Sequence, residues 1–426
     1  METSTATAAA GLHVLAKPIG SICDIACDYC FYLEKRELFP RGQSFRMPDD
    51  VLARYIEQYV AAQPTPVVEF VWHGGEPTLL GLDFFRRVVE LQKPFRGRKE
   101  IRNSLQTNAM RLDDEWCTFF KANDFFIGVS LDGPREVHDR YRKDRKGHGT
   151  FDRVMEGVRL LRKHAVEFNA LACVGRETAS HPLEVYRFFR DEGIRYVQFT
   201  PIIEREADEG TKAIKFWLAR PAVLDRPEPN TRVTPWTVEP EAYGDFMIAI
   251  YEEWVRHDVG TMFVMNFEWA LTAWLGEPSP VCIFSRQCGR AVALEHDGSV
   301  FACDHYVYPE YKLGNVRDDE LGAMVERSVA AGFGPHKEAT LPRYCQRCEV
   351  KQACWGGCPK HRFAVTPDGE PGLHYLCAGY RKFFRHIRKY LRAMTTLIEN
   401  DLPVSLVMQA IDGPLIVSRK ASTGPP

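Results

Sequence analysis

Three cysteines fall close together near the start of the chain: Cys23, Cys27 and Cys30, spaced C-x3-C-x2-C. A 4Fe–4S cube normally takes four thiolates. Three from one loop therefore leave one iron open to a small molecule with nitrogen and oxygen donors. A zinc site completed by a distant ligand would use the same spacing, and the three cysteines alone leave the two readings level. Eight more cysteines lie far downstream: Cys282, Cys288, Cys303, Cys345, Cys348, Cys354, Cys358 and Cys377. Eight thiolates suffice for two fully ligated 4Fe–4S clusters or for two four-cysteine zinc sites. The remaining two, Cys117 on an expected helix and Cys173 in an expected strand, read as small buried hydrophobes.

Loop thiols need a rigid frame, and the first half of the chain alternates strand and helix signals. Leu12 to Ala16, Val67 to Trp72, Ile101 to Gln106, Phe125 to Leu131, Glu167 to Val174 and Tyr196 to Ile203 read as strands. Leu82 to Leu91, Asp113 to Lys121, Phe151 to His164 and Pro182 to Glu192 read as helices between them. Strands alternating with helices imply parallel βαβ units. The expected fold class is α/β, a partial (β/α)6 barrel. Its chemistry belongs at the C-terminal strand ends, where Cys23, Gly74, Asn108, Ser130 and Thr200 fall. Pro221, Pro227, Pro229, Pro235 and Pro240 mark a linker. Glu241 to Arg256 reads as an amphipathic helix, and Gly379 to Glu399 as a closing helix. The expected division is a disordered tail (1–11), barrel and linker (12–235), helical connector (236–280), cysteine-rich domain (281–380), and C-terminal helix and tail (381–426). No convincing internal repeat is visible.

Composition narrows the function class. The chain has 426 residues, 45% of them hydrophobic, enough for a substantial core. Its net charge of −2 excludes the basic footprint of a nucleic-acid binder. No apolar run reaches the length of a membrane span. Met1 to Ala10 is rich in Ser, Thr and Ala and lacks the basic start of a secretory signal. A cytoplasmic location is expected, and in that reducing compartment clustered cysteines are metal ligands more often than disulfides.

Four strand-end motifs follow the first cysteine group. Phe31-Tyr32 comes directly after Cys30, His73-Gly74-Gly75-Glu76-Pro77 ends the second strand, Gln106-Thr107-Asn108 the third, and Ser130-Leu131-Asp132-Gly133-Pro134 the fourth. In order, spacing and placement they resemble the radical S-adenosylmethionine superfamily over roughly residues 12 to 205. The resemblance implies that the open iron chelates the methionyl end of S-adenosylmethionine. One electron then releases a 5′-deoxyadenosyl radical. It further implies that Gly74, Gly75 and Glu76 meet the methionyl group, that Phe31 and Ile203 lie by the adenine, and that Asn108, Ser130 and Arg142 contact ribose or carboxylate.

The downstream cysteines resemble the SPASM extension of peptide-modifying radical enzymes. By that resemblance Cys282, Cys288, Cys303 and Cys358 hold one auxiliary cluster, and Cys345, Cys348, Cys354 and Cys377 the other. Three 4Fe–4S clusters are implied in all. The runs Cys303-Asp304-His305-Tyr306, His73 to Leu79 and Cys345 to Pro359 are similar to those of anaerobic sulfatase-maturating enzymes, over about residues 12 to 395. Such enzymes oxidise a cysteine or serine in an unfolded or nascent sulfatase to Cα-formylglycine, with an external electron donor of flavodoxin or ferredoxin type. The resemblance makes Asp304 the general base, with burial expected to raise its pKa toward neutrality. It places Tyr32 and His73 at the target side chain. Some members have Gln where this chain has His73; a histidine can still donate a hydrogen bond there, but its charge depends on pH, which leaves the choice between cysteine and serine open. Ala109 stands where Gly is common, with little consequence expected. The alternative within the superfamily is a maturase that crosslinks a ribosomal peptide; the alternative outside it is a zinc-binding interaction protein.

Overall fold

The computed structural model describes residues 11–213, 215–221 and 232–409. Residues 1–10 of the expected N-terminal tail and residues 410–426 of the C-terminal segment lie outside the described residues, as do Pro227 and Pro229 of the linker.

Six parallel strands arise where the apolar runs place them: β1 (His13–Lys17), β2 (Val67–Trp72), β3 (Glu100–Thr107), β4 (Phe125–Ser130), β5 (Phe168–Val174) and β6 (Tyr196–Pro201). In β2 the alternate residues Val68, Phe70 and Trp72 have no exposed surface, the period-2 signature of a strand with one face in the core. A short β7 (Phe263–Val264) extends the row. Three further strands come from the cysteine-rich part: β8 (Ala291–Glu295), β9 (Ser299–Phe301) and β10 (Lys312–Asn315). All ten form one sheet in the order β10-β9-β8-β1-β2-β3-β4-β5-β6-β7, open at both ends. The partial α/β barrel is thus present, but its first strand is not an edge. β8 pairs in parallel with β1, Lys17 opposite Glu295, so the downstream segment joins the barrel's own sheet.

The helices expected between the strands form at Leu82–Gln92, Asp114–Ala122, Phe151–Lys163 and Pro182–Asp191. Asp113 caps the second by accepting from the Trp116 backbone N–H. Asp49–Ala62 is a helix the sequence reading passed over, although Val51, Leu52, Tyr55, Ile56, Tyr59 and Val60 recur at helical spacing and are all buried. The connector helix Pro240–His257 packs against the closing helix Cys377–Glu399. They approach most closely where neither has a side chain: a Cβ on Gly379 would fall 1.9 Å from the Pro240 carbonyl oxygen, and one on Gly244 would meet Gly379. Among the described residues no helix is long and apolar enough to cross a membrane.

Candidate active site and cluster thiols

The loop carrying Cys23, Cys27 and Cys30 follows β1 and is tied down on two sides. Towards the second strand end, Gly75 N–H donates to the Gly20 carbonyl (2.7 Å) and Glu76 N–H to the Ile22 carbonyl (2.8 Å). Opposite, Ala26 N–H donates to Lys143 O (2.8 Å) and Asp28 N–H to Tyr141 O (3.1 Å). The Gly-Gly pair therefore has a use beyond approach to a ligand. A Cβ on Gly75 would sit 1.9 Å from the Ile22 carbonyl oxygen, inside the cluster loop itself, and Gly74 has a φ of +125°.

Glu76 is 1% exposed. Its Oε1 accepts from Thr78 N (3.0 Å), Thr78 Oγ1 (2.6 Å) and Thr107 Oγ1 (2.8 Å), and its Oε2 from Asn108 N (2.7 Å). One oxygen is saturated, which leaves only Oε2 with a free lone pair for an ammonium. Asn108 Nδ2 donates to Asp24 Oδ1 (2.8 Å), so its amide braces the cluster loop. Ser130 Oγ accepts from Gln106 Nε2 (2.8 Å). Ile203 is 2% exposed and belongs to the main core. The Phe31 ring meets His305 edge-on and lies under Lys360 Nζ, turned towards the downstream segment.

Arg142 has a different setting from the one the sequence suggests. It is buried, its Nε donates to Asp132 Oδ2 (3.0 Å), and Asp132 also accepts from Tyr29 OH (2.7 Å) and Cys173 N (2.8 Å). Arg142 Nη1 lies 3.9 Å from Cys27 Sγ and Nη2 3.8 Å from Cys173 Sγ. This ion pair locks the cluster loop to the ends of β4 and β5. Cys173 is therefore part of a polar contact rather than plain core filler, whereas Cys117 is fully buried as expected. Ala109 also departs from expectation: its φ of +59° lies in the left-handed region that glycine adopts more cheaply.

Sheet register builds a second group. Ala16 pairs with Trp72 and Lys17 with Glu295, so Lys17 stands between Glu295 and His73 at the strand ends. Lys17 has no exposed surface, forms an ion pair with Asp304, and holds its Nζ 3.7 Å from the Tyr32 ring centroid. Tyr32 OH donates to Glu295. Burial alone would raise the Asp304 carboxyl, but Lys17, with smaller contributions from His73 and His305, outweighs it and holds the carboxyl well below the usual range. The expectation of a base raised toward neutrality is corrected accordingly: its cause is the buried ammonium, which the sequence reading did not single out. His73 Nδ1 accepts from Gly74 N–H (2.7 Å), and burial together with Lys17 brings its pKa down to about 4. His73 is thus neutral, with its proton on Nε2, a single fixed donor like the amide of a glutamine.

The downstream thiols converge as two sets. Cys282, Cys288, Cys303 and Cys358 line an interior cavity of about 330 Å³ together with Asp304, Thr200 and Lys337. Burial pushes the Cys358 thiol up to about 12, with Cys282 and Cys288 adding to it. Burial likewise pushes Cys377 up to about 12, with Cys354, Cys345 and Cys348 adding to it. In the loop after β1, burial raises Cys27, and Cys30 and Cys23 raise it further. Buried thiols that oppose one another's ionisation suit a cationic iron–sulfur group, which offsets that repulsion. The donor sets fit 4Fe–4S clusters.

Comparison with known proteins agrees. Residues 18–189 match the Radical SAM superfamily and residues 282–349 an iron–sulfur cluster-binding domain, SPASM. The serine-type anaerobic sulfatase-maturating enzyme of Bacteroides thetaiotaomicron is 41% identical over 97% of this chain and 98% of its own length. The cysteine-type enzyme of Clostridium novyi is 29% identical over 91% of this chain and 98% of its own length. The solved structure of native anSMEcpe with bound AdoMet and Cp18Cys peptide superposes with a TM-score of 0.78 at 29% identity, covering 91% of this chain and 100% of that one. Fold and site define a radical S-adenosylmethionine enzyme with a SPASM extension, which uses 4Fe–4S clusters and S-adenosylmethionine. The chain belongs to the anaerobic sulfatase-maturating enzyme family.

Gly75→Ala should displace the first cluster loop, since backbone and not a flexible side chain occupies the Cβ position. Iron and sulfide analysis should show the loss of one cluster's share while the downstream thiols keep theirs; full iron content would count against this packing argument.

Proposed function

We propose that the chain oxidises a serine or cysteine side chain of an unfolded sulfatase segment to Cα-formylglycine in the cytoplasm, with Asp304 as the base. The observation that carries this reading is the position of Asp304, next to the cluster thiol Cys303 in sequence, paired with Lys17 at the strand ends and open to the cavity that holds four thiols. When bound, S-adenosylmethionine and the reduced cluster on Cys23, Cys27 and Cys30 supply a 5′-deoxyadenosyl radical that takes one hydrogen atom from the target Cβ. On this reading Gly74, Gly75 and Glu76 would meet the methionyl end, Phe31 and Ile203 would lie by the adenine, and Asn108, Ser130 and Arg142 would contact ribose or carboxylate. The protein's remaining tasks are to hold the target and to take its second proton. The His73 Nε2–H and the Tyr32 ring face orient the target oxygen or sulfur. Asp304, already ionised, accepts the proton, because a neighbouring carbon radical acidifies that O–H or S–H enough for a weak base. Cys282, Cys288, Cys303 and Cys358 hold the nearer auxiliary cluster and Cys345, Cys348, Cys354 and Cys377 the outer one. An external one-electron donor such as a flavodoxin starts the cycle.

Serine is favoured as the target, because the serine-type relative is 41% identical and the cysteine-type one 29%. Mass spectrometry of sulfatase-derived peptides in Ser and Cys versions, incubated anaerobically with reductant and S-adenosylmethionine, tests this. Formylglycine from the Ser peptide is expected; a crosslinked peptide, or no product from either, contradicts the reading.

A neutral His73 makes a further prediction. His73→Gln should keep the rate and leave its pH profile flat over roughly pH 6 to 8. His73→Leu should lower product formation about tenfold, the worth of one neutral hydrogen bond. Steady-state assays across pH check both.

A further inference from the structure

The two downstream thiol sets face different surroundings. Cys282, Cys288, Cys303 and Cys358 line the cavity beside Asp304, with Cys282 also exposed at its edge. Cys377 and Cys348 instead line two adjoining surface hollows, of about 740 Å³ and 260 Å³ respectively. Two thiols of this set therefore border the surface directly. The larger hollow has an apolar floor that includes Pro367, Leu373 and Val365, the last 40% exposed.

Around the two hollows the lining cations Arg343, Arg347, Arg381, Lys382 and Arg385 outnumber the lining carboxylates Glu349 and Asp368. The closing helix lines them with Arg381, Lys382 and Arg385, and the short segment before it with Arg343 and Arg347; Arg388, outside the lining, is exposed one turn beyond Arg385. Glu349 is shared between Arg381 and Arg385, Asp245 pairs with Lys382, and Glu370 pairs with Arg343. Among the described residues Arg347 and Arg388 form no ion pair with a carboxylate. An apolar centre within a charged rim is the layout of a protein interface, and rim charges set the partner's sign and its rate of encounter.

The proposed reaction needs such a partner. Turning CH2–OH into CH=O removes two electrons and two protons. One electron and one proton leave together as a hydrogen atom taken up by the cofactor. The second proton goes to Asp304, and the second electron must leave the substrate. One electron was also supplied to start the cycle, so the electron put in and the electron given up balance. The electron that starts the cycle comes from outside, and one carrier protein can both supply it and take back the electron given up.

We propose that the basic-rimmed face over Cys348 and Cys377 is the docking surface for an acidic one-electron carrier protein, which exchanges electrons with the group held by the outer thiols. The proposal rests on the formylglycine reading above. The small, charged, partly apolar face suits a transient redox encounter rather than a permanent complex.

The test uses the full chain and oxidised flavodoxin as the probe. Binding of flavodoxin is measured at low and high salt for the wild type and for the triple variant Arg347→Glu, Arg385→Glu, Arg388→Glu. Peptide oxidation is followed in parallel with flavodoxin or with dithionite as reductant. The variant is expected to bind flavodoxin about tenfold or more weakly, to lose most of the salt dependence, and to keep the wild-type rate with dithionite. Unchanged flavodoxin affinity overturns the proposal, as does equal loss of rate with both reductants, or displacement of flavodoxin by a sulfatase-derived peptide. If wild type turns over with dithionite but binds no flavodoxin, the docking surface fails and the formylglycine reading survives. If neither reductant yields formylglycine from the wild type, the underlying reading itself fails.

Discussion

Asp304→Asn should leave reductive cleavage of S-adenosylmethionine intact and lower formylglycine formation by about 10²- to 10⁴-fold, the usual worth of a positioned general base. The two activities separate because Asp304 touches Lys17 and lines the downstream cavity, while the cleavage machinery is organised around Cys23, Cys27 and Cys30. Quantifying 5′-deoxyadenosine and modified peptide in one reaction checks this; full product formation would remove Asp304 as the base. The same pair has a stability consequence. Lys17 holds the folded-state pKa of Asp304 below its ordinary value. The pairing therefore contributes stability that is fully present above about pH 3.9, the unfolded aspartate value, and is lost only as pH falls below it. Lys17→Met leaves Asp304 buried without its counter-charge, at a cost of about 3–5 kcal/mol. A lowered midpoint in denaturant unfolding is the expected result.

Cys27→Ala should abolish both cleavage and peptide oxidation. Cys27 is the middle thiol of the first loop, its sulfur 3.9 Å from Arg142 Nη1. Removing it leaves two thiols, too few to retain a cluster with one open iron. The outer thiols supply the control: Cys348→Ala affects only the surface-facing set, so cleavage should persist. Cleavage retained by Cys27→Ala would refute the three-cysteine assignment.

Spacing and strand-end placement made the cysteine loop, the Gly-Gly-Glu run and the later thiols legible in the sequence, because each is a local pattern. The six barrel strands were legible for the same reason, their alternation being visible in runs such as Val67 to Trp72. What the sequence hid is long-range register. In the sequence Lys17 follows the expected strand Leu12 to Ala16, and nothing local singles it out. Only the parallel pairing of β1 with both β2 and β8 shows it buried between His73 and Glu295, against Asp304. That pairing links segments on either side of the barrel, so no local pattern announces it. The ionisation states followed from the same contacts. Burial was the anticipated influence on Asp304, and the ammonium that reverses it comes from the far end of the chain. Glu76 is a milder case: its partners Thr78, Thr107 and Asn108 sit in two neighbouring strand-end motifs, yet nothing in the sequence shows that Thr78 and Thr107 place three hydrogen bonds on Oε1 while Asn108 donates to Oε2.

The central claim is that a hydrogen atom leaves the target Cβ and a proton then passes to Asp304. A sulfatase-derived peptide deuterated at the Cβ of its target serine tests it directly, with mass spectrometry of both products after anaerobic turnover. The account predicts deuterium in 5′-deoxyadenosine and a peptide carrying an aldehyde at that serine, with the Asp304→Asn variant giving the first without the second. Unlabelled 5′-deoxyadenosine alongside aldehyde product would contradict it.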